Sequence, residues 1–134
     1  DEASVARAQP IFSIVGEDIF HTGGVGMGLA AKLCNNLMAL TNMKVVEEAL
    51  SMARAAGITE ERMIEIAKVS SGDSWALRNI ASLRALLLMP GTDGGTMMKI
   101  ADKDLQLAKK FGDSLGLKLG ITNYVVNNET GKIE

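Results

Sequence analysis

Apolar residues recur every three or four positions along most of this chain, the spacing of helices with one buried face. In Asp1 to Gly16, Val5, Ala8, Ile11, Phe12 and Val15 share such a face; Asp1 caps the start, Gly16 closes the end, and Pro10 is expected to bend the helix. "DIFHTGG" is at most a brief strand. From about Met27 to Ala56 there is no proline and no glycine beyond Gly28, and Gly57 supplies the stop. That predicts one helix of about 28 residues, roughly 42 Å long. Leu29, Leu33, Leu37, Leu40, Met43, Val46 and Leu50 cover one side of it, and Met38, Val45 and Met52 others. A helix that apolar needs burial on most sides, more than a small chain supplies, so it predicts a partner: another subunit or a further domain.

Shorter helices follow. Thr59 caps a run through Met63, Ile64, Ile66, Ala67 and Val69, although Arg62 stands where a capping box wants an acid. "SGDSW" is a turn, a helix runs from about Trp75 to Met89, and "PGTDGG" is a loop. "TMMKIADKDLQLAKKFGDSLG" is helical, with Met98, Ile100, Ala101, Leu105, Leu107, Ala108 and Phe111 apolar; "LKLGITNYVVNN" is ambiguous, and "NETGKIE" is a fraying tail. No strand alternates with a helix. The pattern predicts an all-α fold over residues 1–134, a single helical domain built around one long buried helix.

Composition narrows the partners. The 134 residues hold 14 lysines and arginines against 16 acids, a net charge of -2, so no basic field exists for a phosphate backbone and nucleic acid is excluded. Cys34 is the only cysteine, which rules out an intrachain disulfide and the multi-cysteine zinc patterns; it reads as a small buried apolar residue in a reducing compartment, cytoplasmic or mitochondrial. His21 is the only histidine and reads as a loop residue rather than a metal ligand. The uncharged run Leu33 to Met43 is too short to cross a bilayer. The first residue is Asp1, already at a helix start, which suggests a piece of something longer.

The richest stretch is "HTGGVGMGLAAKLCNN", His21 to Asn36. From Gly26 it spells G-x-G-x-x-A, close to a dinucleotide-binding loop. Such a loop needs a strand before it and an acid at the tip of a second strand about 20 residues on. Glu47 and Glu48 lie near that offset but inside the same helix, so no βαβ unit can form. What the helix does carry is Gly28, Lys32 and Asn36 at i, i+4 and i+8, one narrow stripe on its first turns. A lysine and an asparagine on a greasy helix need partners. Either Lys32 snorkels to solvent and Asn36 bonds a loop, or Lys32 is a buried amine tuned to trade a proton with a substrate hydroxyl.

The pattern Gly26-x-Gly28-x-x-x-Lys32-x-x-x-Asn36 resembles the signature of the β-hydroxyacid dehydrogenases, the family of 3-hydroxyisobutyrate dehydrogenase and tartronate semialdehyde reductase. "KDLQLA", Lys103 to Ala108, resembles a second segment of that family, and "SSGDSW", Ser70 to Trp75, lies between the two in matching order. The resemblance covers about the first 110 residues. It implies an NAD(P)-dependent oxidoreductase that interconverts a small β-hydroxy acid and its semialdehyde. This chain would be its all-α C-terminal catalytic and dimerisation domain, like that of 6-phosphogluconate dehydrogenase. The N-terminal Rossmann domain, absent from this chain, would bind most of the NAD or NADP.

The resemblance assigns roles by position. Lys32 is the general acid/base; Asn36, Gly28 and Trp75 belong to the substrate; Lys103 and Asp104 lie toward the cofactor. It implies a homodimer or tetramer, and no metal, nucleic acid or membrane partner. Two positions depart from the family: Ile80 replaces a common tyrosine and Thr96 a common phenylalanine, which bears on which hydroxy acid fits. Two other readings stay open. One is a non-catalytic helical dimerisation or interaction module with the long helix as its seam. The other is a decarboxylating enzyme of the 6-phosphogluconate dehydrogenase type, for which no phosphate-binding basic cluster is present.

Overall fold

The structure, a computed structural model, describes residues 1–87 and 94–127, of which 94–97 by backbone only. Its elements are α1 (Glu2–Val15), α2 (Met27–Ala55), α3 (Glu60–Lys68), α4 (Trp75–Leu87), α5 (Gly94–Ser114) and α6 (Gly120–Asn127). The described residues hold no strand, and "DIFHTGG" is irregular chain. The fold is all-α. Gly94 and Gly95 begin α5 instead of ending a loop, and the ambiguous apolar segment supplies α6. The expected end of α4 at Met89, the loop residues Pro90 to Asp93, and the tail from Asn128 lie outside the described residues.

Local chemistry explains the boundaries. The Asp1 carboxylate accepts the Ser4 N–H at 2.8 Å, satisfying one of the free donors at the start of α1. Thr59 Oγ1 does the same for Arg62 N–H at the head of α3. The turn into α2 is made by glycine: Gly23 and Gly26 hold φ of 112° and 90°, where a side chain is strained. Met27 N–H then closes on Gly24 O at 3.1 Å and Ala30 N–H on Gly26 O at 3.0 Å. These glycines shape the turn that aims the head of the helix, and no strand precedes them among the described residues.

Helix α2 is the spine, packed by α3, α4 and α5, with α6 returning against α5. Val46 and Leu50 of α2 meet Ala67 of α3 and Ala76, Leu77 and Ile80 of α4 in one core cluster, with Met43, Met63 and Ile64 packed against it. Ile80 is therefore a core residue. It packs in one cluster with Val46 and Leu50, where the hydroxyl of a tyrosine would need a partner. Thr96, the other departure, has its side chain outside the described residues.

One staple ties the far end of the spine. Arg84 of α4 donates from Nε and Nη2 to both Glu47 oxygens on α2, at 2.7 and 2.6 Å, and from Nη1 to Glu60 on α3 at 2.7 Å. Arg54 also pairs with Glu60. A planar guanidinium suits this double fork, and Glu47 sits below its ordinary value of 4.5, chiefly through its hydrogen bonds from Arg84.

The spine is not covered all round. Of α2, Leu33, Val46, Leu50 and Ala53 are buried, whereas Met38, Val45 and Met52 stand exposed along another line of the helix. No residue of α1 is buried, so the apolar face expected for it meets no core here.

Candidate active site

Two helices build the site. On α2, the four-residue spacing points Lys32 and Asn36 the same way. On α5, the inward stripe runs through Asp104, Leu105 and Ala108, all buried. Leu105 and Ala108 anchor α5, and Asp104, on the same inward side, is thereby brought to α2.

There its Oδ2 accepts hydrogen bonds from Lys32 Nζ and from Asn36 Nδ2, both at 2.7 Å. The exposures are unequal: the Asp104 side chain is 10% exposed and that of Lys32 47%. The Lys32 hydrogen bond, with help from Asn36, holds the Asp104 carboxyl below its ordinary value of 3.8 although burial pushes the other way. The carboxylate is ionised at neutral pH. Of the two readings of Lys32, neither fits alone: the amine sits at an accessible helix head, as a snorkelling lysine would, yet it is paired with a buried carboxylate.

The donors are only partly used. An ammonium has three N–H bonds and Lys32 gives one to Asp104; Asn36 keeps a second amide N–H and its carbonyl oxygen. Gly28, one turn before Lys32, has open space: an added Cβ would meet only Thr22 Oγ1, at 3.8 Å.

Lys103 and Asp104, paired in the sequence reading, part company. Lys103 points outward, its side chain 66% exposed, with Nζ 3.8 Å from Asp104 Oδ1. Asp104 turns inward to the lysine of α2. Trp75 opens α4, whose buried residues pack further along the spine on Val46 and Leu50, and is itself 62% exposed. The structure brings Lys32, Asn36 and Asp104 together and leaves Trp75 apart from their hydrogen bonds. Cys34 is exposed rather than buried, because it sits on α2 away from the packed helices. His21 lies in the exposed loop before α2.

Sequence reasoning passed over Lys44. It is half-buried on α2, donates to Val125 O of α6 at 3.1 Å, and has its pKa lowered, chiefly by burial, against the pull of Asp102 and Glu48. Its signal was a lysine one turn from Leu40 in an apolar run. It ties α2 to α6. Among the described residues, no group of three or more His, Cys, Asp or Glu side chains could hold a metal ion, and no helix is long and apolar enough to cross a membrane.

Fold and site together define an all-α domain with an amine, an amide and a carboxylate gathered at the head of its longest helix. A family model described as "NAD-binding of NADP-dependent 3-hydroxyisobutyrate dehydrogenase" matches residues 26–128, and the chain belongs to that family. It is 36% identical over 121 residues to 2-(hydroxymethyl)glutarate dehydrogenase of Eubacterium barkeri, covering 90% of this chain and 40% of that protein. With 3-hydroxyisobutyrate dehydrogenase of Pseudomonas aeruginosa it shares 35% identity over 77% of this chain and 36% of the relative. The fold matches the solved structure of Mycobacterium tuberculosis 3-hydroxyisobutyrate dehydrogenase with L-serine, at a TM-score of 0.81 and 23% identity, over 95% of this chain and 45% of that one. The chain thus spans about two fifths of the curated relatives it matches.

Proposed function

We propose that this chain is the helical catalytic half of an NAD(P)-dependent dehydrogenase that interconverts a small β-hydroxy acid and its semialdehyde. The observation that carries the reading is the convergence of Lys32, Asn36 and Asp104 in a chain of this family. For oxidation the Lys32 ammonium first gives one proton to solvent, and the neutral amine then takes the hydroxyl proton as the hydride leaves; in reduction the ammonium gives a proton to the carbonyl oxygen as the hydride arrives. Asn36 offers its remaining N–H and its carbonyl oxygen to the substrate, and one helical turn sets both groups on the same small molecule. The open surface at Gly28 admits it.

A nicotinamide dinucleotide, when bound, supplies the acceptor for the hydride. Exposed Lys103 fits an anionic cofactor approaching α5, since among the described residues its ion-pair contact is the long one to Asp104. A Rossmann domain N-terminal to this chain in the full-length protein holds most of that cofactor, and Trp75 helps wall the substrate from solvent. A second copy covers the outer line of α2, giving a homodimer or tetramer. The exposed, unpaired thiol of Cys34 suits a reducing cytoplasmic setting.

The direct test is a set of small 3-hydroxy acids, L-serine among them, offered to the full-length enzyme with NAD or NADP while reduced nicotinamide is followed optically. Turnover with at least one acid and one cofactor is expected. No turnover across the set, by a folded protein that binds either cofactor, would contradict the reading and favour the interaction-module alternative.

A further inference from the structure

Asp104 does more in this fold than sit beside a cofactor-facing lysine. One oxygen, Oδ2, accepts from both Lys32 and Asn36 at 2.7 Å, so one atom fixes the relative position of two groups from successive turns of α2. We propose that Asp104 is the positioning residue of this site, the buried anchor that holds the Lys32 amine and the Asn36 amide in register for the same substrate. The inference rests on the reading of Lys32 as the proton-transfer group.

The physical case lies in the asymmetry of the cluster. Lys32 is a long side chain at an accessible helix head, where an unpaired ammonium samples many rotamers. Asp104 is short, nearly buried, and carried on a helix locked by Leu105, which is 2% exposed. Anchoring the mobile group to the immobile one turns a wandering amine into a fixed one. Both α2 groups keep donors free while bound to Asp104, so the anchor need not let go for substrate to bind. Lys103, next in sequence, points to solvent with Nζ 3.8 Å from the other oxygen, Oδ1, so the side facing a cofactor and the side holding Lys32 use different atoms of one carboxylate.

The test is Asp104→Asn in the full-length enzyme, an exchange that keeps the shape and removes the charge. A positioning role predicts that kcat falls roughly a hundredfold, the scale of a small misplacement of a reacting group. The KM for NAD(P) should stay as it is, and the variant should keep its helical content. Unchanged kcat with a raised cofactor KM would overturn the proposal and make Asp104 a cofactor residue. If Asp104→Asn fails to fold, NMR of the Lys32 Nζ group in the unaltered protein decides: an ordered, hydrogen-bonded ammonium is expected, and a freely rotating one overturns the proposal. Lys32→Ala separates this inference from the reading beneath it. Full turnover there overturns both, whereas a dead Lys32→Ala beside an unimpaired Asp104→Asn overturns the anchor alone.

Discussion

Lys32 and Asp104 form an ion pair whose two members live in different surroundings, and this explains what the sequence could and could not show. The i, i+4 stripe on α2 was legible, because helical geometry alone places Gly28, Lys32 and Asn36 on one side. The partner was not. The resemblance sets Lys103 and Asp104 together toward the cofactor, yet Asp104 lies in the inward stripe with Leu105 and Ala108 while Lys103 does not. Counting Asp104 as an inward position would have found it. Ile80 is a core residue at a position where the family often carries a tyrosine. Ile80→Tyr should therefore lower stability by about 1–3 kcal/mol through overpacking and a buried hydroxyl, leaving substrate KM unchanged. Thermal unfolding and steady-state kinetics of that variant check both halves of the statement.

At the scale of elements, strong signals gave the right boundaries. Helix α2 ends at Ala55, and Gly57 holds a φ of 83°, the left-handed turn that the sequence reserved for glycine. Helix α6 was ambiguous because a short apolar run has too few turns to separate helical spacing from a strand. What decides it is tertiary: Gly112 lets α6 close on α5, since a Cβ there would run into the Leu119 side chain. Gly112→Ala should lower the thermal midpoint by forcing Leu119 aside, a cost of about 1–3 kcal/mol. The joint of α2, α3 and α4 responds to pH instead. Glu47 has its folded-state pKa held below the ordinary 4.5, so its stabilisation is complete above that value and is lost as pH falls through the folded value. Asp104 behaves likewise below its ordinary 3.8. Thermal midpoints measured from pH 6 down to about pH 3 should fall steeply, and Arg84→Met should flatten the slope because Glu47 then titrates near its ordinary value.

For the whole molecule, the fold class was legible from periodicity and the family from ordered motifs, but the extent of burial was not. A sequence can show that α2 is apolar nearly all round; it cannot show which side its own chain covers. The structure covers the line of Val46, Leu50 and Ala53 and leaves Met38, Val45 and Met52 open. If a second copy covers that line, Val45→Glu in the full-length protein should reduce the oligomer measured by analytical ultracentrifugation, while each protomer keeps its helical content. An unchanged mass distribution would assign the open line to another surface.

The proposed chemistry depends on the amine at the head of α2. Lys32→Ala in the full-length enzyme, assayed for turnover alongside cofactor binding by nicotinamide fluorescence, tests it most directly. With Lys32 as the proton-transfer group, kcat should fall by about three orders of magnitude, in the range that general acid–base catalysis contributes, while NAD(P) affinity stays as it was. Near-normal turnover in that variant would contradict it.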